Sequence, residues 1–332
     1  MLRVSPEPIT GRRWLAPEKI ICGSAQLRAM DTRQALLVDA FAAEPTAGTP
    51  TGVVPEADGL TDDQMQAVAS ELGATETAFV LPAADADRRL RCFSPTEELA
   101  QAETATIAAY AALYERGEVD AAELTVATAG GEIAIETKPN GMVWVEQGRA
   151  DITEVDIPYS DVADALGLDA ATLKDVGADL PLVTADASES WLMVPVNYFE
   201  HLSTLAVDGT AVASLCDRAD AVGVYPFTFD TVGGDATRRS TFHGRAFRAG
   251  SRTEEPVSAA ASGACAAFVR RYGALDDTVE QIIAEGGHFR DRPGTVSVDT
   301  DGTEVWVGGR GVTALDGTVT VPAVDDDDII EA

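Results

Sequence analysis

Apolar residues in this chain come in short bursts broken by glycine, proline and acidic residues, and the period of each burst says what it builds. Residues 34–41 and 52–55 read as strands on either side of a loop at 44–50 rich in Pro, Gly and Thr. Thr61-Asp62-Asp63-Gln64 is a capping-box pattern; it opens a helix that runs to Leu72, with Met65, Val68, Ala69 and Leu72 on one face and Gly73 as its stop. Strands follow at 75–81 and 88–93, then an alanine-rich helix at 98–114, then strands at 123–128, 131–137 and 142–147. Lys138-Pro139-Asn140-Gly141 joins the last two, and its Asn-Gly pair signals a hairpin. Residues 150–180 are polar and helical in pattern, a crossover into the second half. That half predicts strands at 181–184, 190–196, 221–227 and 241–247, helices at 210–218, 256–272 and 277–285, and strands at 294–300, 303–308 and 318–321.

The two halves echo one another. Arg91-Cys92-Phe93, a turn, Glu97-Glu98 and an alanine-rich helix ending at Tyr114 parallel Arg245-Ala246-Phe247, a longer turn, Glu254-Glu255 and an alanine-rich helix ending at Tyr272. The pattern predicts two similar α+β lobes, each aiming one helix N-terminus at a shared cleft, an arrangement suited to a small anionic ligand. The stretch 252–264 has two readings. It is an anion cradle flanked by carboxylates, or an ordinary buried helix whose dipole Glu254 and Glu255 complement.

Composition narrows the class. With 332 residues and 45% hydrophobic content the chain can bury a sizeable core, and no apolar run reaches the length of a membrane span. The formal charge of -31 comes from 55 acidic against 24 basic residues, with lysine only at Lys19, Lys138 and Lys174. Such a surface repels phosphate backbones and anionic membranes, so neither nucleic acid nor membrane is an expected partner. The same composition suits concentrated salt, where self-repulsion is screened, and the expected location is the cytoplasm. Four separated cysteines (Cys22, Cys92, Cys216, Cys265) and three lone histidines (His201, His243, His288) give neither a disulfide framework nor a metal-ligand spacing, so no metal is expected. Residues 1–29 carry a local positive excess and little periodicity; they are read as an extension, or as preceding a true start at Met30. Residues 325–332 are a solvated acidic tail.

Several ordered pieces resemble the phenazine-biosynthesis-like isomerases, relatives of diaminopimelate epimerase. They are Val38-Asp39-Ala40-Phe41, Ala47-Gly48-Thr49-Pro50, Thr75-Glu76-Thr77-Ala78-Phe79-Val80, the run from Arg91 to Leu99, the stretch 252–264, Glu285-Gly286-Gly287, Arg292-Pro293-Gly294 and Val307-Gly308-Gly309. The resemblance implies an α+β fold of two pseudo-symmetric lobes, each a curved, mostly antiparallel sheet wrapped around a central helix. It divides the chain into lobes at 30–155 and 156–324, with the last strands returning to the first lobe. It also implies a homodimer and a cofactor-independent proton transfer on a small carboxylate-bearing metabolite.

By the same resemblance Glu76 falls on the family's general acid/base, with Glu255 as its catalytic companion. Thr49, Thr104, Ser258, Ala259, Ala260 and Ala261 fall on substrate-binding positions. The chain departs from the pattern at several of these. Glu103-Thr104-Ala105-Thr106 stands where the family has Gly-His-Pro-Thr, Glu255 stands for an aspartate, and Ala259-Ala260 for a Gly-Ser pair. Losing a hydroxyl and an imidazole removes hydrogen-bond partners, and Glu103 places a negative charge where an anion is expected to bind. Two functions therefore stand: an isomerase with an altered substrate, or an impaired homologue that binds a metabolite or protein.

Overall fold

The capping box forms where the sequence placed it. Gln64 N–H donates to Thr61 Oγ1 at 3.3 Å and Thr61 N–H to Gln64 Oε1 at 3.0 Å, so helix α1 (Asp62–Leu72) starts there and ends at Gly73 with φ 62°. The Asn140-Gly141 hairpin also forms: Gly141 has φ 76° and Met142 N–H donates to Asn140 Oδ1 at 3.1 Å. The computed structural model describes residues 31–323 except 101, 175, 177–179, 234–238, 252 and 277; the expected extension 1–29 and tail 325–332 lie outside them.

The strands form a mixed, largely antiparallel network. Strand Thr32–Ala40 pairs with Thr49–Val54 on one side and with the last strand, Gly311–Thr320, on the other. A second return pairs Glu304–Gly309 with Val143–Arg149. Two helices sit inside this network, α2 (Glu103–Glu115) and α6 (Ala259–Arg271), and they touch one another. Residues 103–113 of one and 259–269 of the other are all buried, so neither has a solvent face. Small side chains make this possible by letting strands approach from every side. At Gly263 an added Cβ would lie 1.8 Å from Gln147 Oε1. Helices α3 (Tyr159–Leu166), α4 (Phe199–Ser203) and α5 (Gly209–Ala219) belong to the second half; α3 and α5 share a separate apolar cluster with Leu192 and Val194 of the strand Ser190–Pro195.

The echo between halves is physical. Arg91 forks onto Glu98 at 2.7 and 2.6 Å with its guanidinium 5.1 Å over Phe93. Arg245 forks onto Glu254 at 3.1 and 2.7 Å with its guanidinium 5.1 Å over Phe247. Cys92 pairs with Leu99 where Ala246 bridges Glu255.

Several predicted elements differ, among them the last strand, expected at 318–321 and found at Gly311–Thr320, and the stretch 150–180, which opens with strand Asp151–Glu154. The helix expected at 98–114 begins at Glu103, because Glu98-Leu99 is drawn into a short strand against Cys92-Phe93. The helix expected at 277–285 is instead strand Ile282–Gly286, held antiparallel to Gly294–Thr300 and parallel to Phe242–Gly244 with Ile282 and Ala284 in the core. The strand expected at 241–247 breaks at Arg245-Ala246, where the Arg245 side chain turns onto Glu254.

Candidate functional site

Helix α2 starts without a side-chain cap, because its N-cap is Ala102. An uncapped helix start leaves N–H donors to be satisfied from elsewhere. Glu76, first residue of strand Glu76–Leu81, supplies the acceptor: Ala105 N–H donates to its Oε2 at 3.0 Å. The residue as a whole is partly buried, but its carboxyl lies within the protein and is pushed up to about 8. Burial is the largest cause, followed by the negative charges of Glu103, Glu255 and Glu189, with the Ala105 N–H pulling the other way. The carboxyl is thus held by a helix end and surrounded by like charge.

Helix α6 starts differently. Its N-cap Ser258 accepts from Ala261 N–H at 3.4 Å, so this end carries its own cap. Ala259, Ala260 and Ala261 form the first turn, all buried, and Gln147 Nε2 donates to Ala259 C=O at 3.2 Å. Thr49 links this end to the first half: its hydroxyl donates to Val257 C=O at 2.8 Å and accepts Val257 N–H at 3.1 Å. Two residues along the same strand, Thr51 pairs with Glu76. The chain of contacts Glu76, Thr51, Thr49, Val257 therefore carries the site from one helix start to the other. Thr104 is buried in the first turn of α2, between Glu103 and Ala105.

Glu255 belongs to a cluster that sequence reasoning did not find. Arg248 Nε donates to Glu255 Oε1 at 2.8 Å, while Arg248 Nη1 and Nη2 grip Glu189 at 2.9 and 2.8 Å. The guanidinium lies 5.1 Å over the Trp191 ring. Burial disfavours its charge, but the two carboxylates outweigh this and raise its proton affinity. The one available signal was positional: Arg248 follows Phe247 where Ser94 follows Phe93 in the first half.

Other motif pieces form a clasp. Arg292 donates to Gly48 C=O at 2.9 Å, Ala47 C=O at 2.9 Å and Asp39 Oδ1 at 2.5 Å, and Gly48 N–H donates to Pro293 C=O at 3.0 Å. Gly48 has φ 57°, and a Cβ there would meet Ala40 C=O at 2.0 Å. These residues tie the segment 39–48 to Arg292 and Pro293 beside Thr49. A groove of about 1180 Å³, lined by Trp144, Trp306 and Met142 among others, contains none of the predicted site residues.

Two helices enclosed by curved, mostly antiparallel sheet, with a carboxylate at one helix start, define a protein of the diaminopimelate epimerase-like class. The chain belongs to the phenazine biosynthesis-like protein family, whose model matches residues 38–317. It is similar to the uncharacterized isomerase YfhB of Bacillus subtilis, 29% identical over 81% of this chain and 91% of that protein. It is also similar to the trans-2,3-dihydro-3-hydroxyanthranilate isomerase of Pseudomonas chlororaphis, 28% identical over 86% of this chain and 99% of that one. Among solved structures, the Bacillus anthracis phenazine biosynthesis protein of the PhzF family superposes with a TM-score of 0.79 at 28% identity, over 88% of this chain and all of the other. A hydroxyproline epimerase from Agrobacterium vitis shares the fold at a TM-score of 0.57 and 14% identity, over 88% and 94% of the two chains.

Proposed function

We propose that this protein is an isomerase that moves a proton on a small carboxylate-bearing metabolite by general acid/base chemistry at Glu76, without metal or organic cofactor. The observation that carries this reading is the Glu76 carboxyl, held on the Ala105 N–H and pushed up to about 8 by burial and neighbouring carboxylates. A carboxyl raised toward neutrality both takes and returns a proton. The ionised carboxylate removes a proton from a carbon of the substrate, leaving the electron pair delocalised toward a substrate carbonyl or carboxyl group. The neutral carboxyl then returns the proton at another face or position, so atoms and charge balance within one turnover. Backbone N–H groups in the first turns of α2 and α6 are the proposed partners of the developing negative charge, with Thr49, Thr104 and Ser258 shaping their approach. The isomerase names of the relatives support the same class.

The reading extends to a cytoplasmic homodimer with its site between lobes at 30–155 and 156–324. A second reading, a metabolite- or protein-binding homologue with impaired catalysis, draws support from Glu103. Its charge stands in the first turn of α2 and counts against an anionic ligand there. Deuterium exchange from heavy water into a panel of small hydroxy and amino acids separates the two. The isomerase reading expects exchange into one of them that falls at least about 100-fold in Glu76→Gln, the usual scale of a lost acid/base. No exchange across the panel, or full exchange in Glu76→Gln, sinks it.

A further inference from the structure

The two halves build the same turn, and the comparison separates what the fold needs from what it does not. In each half an arginine forks onto a glutamate and lies over a phenylalanine, and a buried helix begins five residues after that glutamate. One residue past the glutamate the first half has Leu99, which pairs with Cys92; the second half has Glu255, which bridges Ala246. One residue past the phenylalanine the first half has Ser94; the second has Arg248. The turn thus closes in the first half with neither charge. Glu255, Arg248 and Arg248's other partner Glu189 are an addition to the second half alone.

That addition acts on Glu76 through its charge. Strand Thr49–Val54 carries Thr51, paired with Glu76, and Thr49, bonded to Val257 two residues beyond Glu255. Exposure falls along the cluster, from about a third for the Arg248 and Glu189 side chains to 17% for Glu255. The guanidinium therefore holds one carboxylate as exposed as itself and one that is more buried. Among the described residues, the ionisable groups that bear on the Glu76 carboxyl include Glu103 on α2, Cys92 on the neighbouring strand, Glu255 and Glu189. Arg248 bonds the last two of these, so it acts on Glu76 through them.

We infer that Arg248 is a positioning residue for proton transfer at Glu76: by gripping Glu255 and Glu189 together, it fixes where their negative charge stands against the Glu76 carboxyl and how much of it is compensated. The inference rests on the acid/base reading of Glu76, but it can be tested without a substrate. Guanidinium geometry makes the role specific, because only a planar fork reaches two carboxylates in fixed directions at once; an ammonium of equal charge cannot.

The test is a pH titration of the glutamate carboxyl carbons of the full chain by carbon-13 NMR at constant ionic strength, with the Glu76 signal identified by its loss in Glu76→Gln. Arg248→Gln removes the compensating charge, and the Glu76 midpoint is expected to rise by about one pH unit. Glu189→Gln and Glu255→Gln each remove a negative charge, and the midpoint is expected to fall, further for the more buried Glu255. Arg248→Lys keeps the charge but loses the fork, with an expected rise smaller than that of Arg248→Gln. Opposite signs for Arg248→Gln and Glu189→Gln are what a purely structural role would not produce. Shifts of the same sign, or an unmoved midpoint in either variant, overturn the inference; should Arg248→Gln not fold, an unmoved midpoint in Glu189→Gln and Arg248→Lys does so alone. If the midpoints move as expected and no substrate exchanges deuterium, the acid/base reading fails and the electrostatic role of Arg248 stands.

Discussion

Glu76 and Glu285 are the same side chain, each on a strand, each with its carboxyl inside the protein, and they are driven in opposite directions. Glu76 is pushed up to about 8 by burial and by Glu103, Glu255 and Glu189, against a single N–H bond. Glu285 is also penalised by burial, but His243, Ser240 and the Val232 N–H outweigh it and draw the carboxyl down to about 2. Its oxygens accept from His243 Nδ1 at 3.0 Å and from the N–H groups of Val232 and Gly233 at 2.6 and 2.8 Å. Burial alone therefore says little about what a carboxylate does. The count of donors against neighbouring negative charge decides it, and the two residues show the lowered and the raised outcome in one chain.

The comparison breaks most readily at Glu285. Replacing it with alanine strands two N–H groups and His243 in the interior, and a loss of about 3–5 kcal/mol is expected in urea unfolding. Glu76→Gln, by contrast, is expected to retain or raise stability above pH 8; comparable losses at both positions would erase the distinction. Acid and base limbs test the same contrast with a smaller effect. Glu285 has a lowered folded value, so its contribution is present above about pH 4.5 and lost as pH falls toward 2. Glu76 has a raised folded value, so its contribution is full below about pH 4.5 and lost as pH rises through 8, with a slope of at most about 1.4 kcal/mol per pH unit. Stability curves from pH 2 to 9 check both: Glu285→Gln should flatten the acid limb and Glu76→Gln the alkaline one. The smallest effect sharpens the cause of the Glu76 shift. Glu103→Gln removes the like charge that ranks next after burial, and the Glu76 midpoint is expected to fall by about one unit in a carbon-13 titration. An unchanged midpoint would leave burial, Glu255 and Glu189 as the causes of the shift.

What could be read in the sequence was what neighbouring residues decide among themselves. The Thr61–Gln64 box and the Asn140-Gly141 turn need only a few residues, and both form where expected. The start of α2 and the strand Ile282–Gly286 could not be read, because each depends on partners remote in the chain. Glu98 leaves the helix for Arg91, and Ile282 leaves a helical pattern for a place between two strands. The site divides the same way. Glu76 stood out by its motif, yet its bond to Ala105 spans 29 residues, and Arg248 reaches Glu189 across 59. Thr49 was expected to face a ligand; its hydroxyl makes two bonds to Val257, 208 residues away.

The pairing of the first described strand with the last also sets a clock. Gln34 and Asp316, hydrogen-bonded across that pairing, are 282 residues apart. At ribosomal rates of about 5–20 residues per second, strand Thr32–Ala40 waits roughly 15–60 s for its outer partner. During that interval it has only strand Thr49–Val54 beside it, and one row of its backbone donors and acceptors stays open to any other strand. The acidic surface of the remaining chain meets this interval with mutual repulsion between nascent copies, so net charge also guards an edge until synthesis closes it.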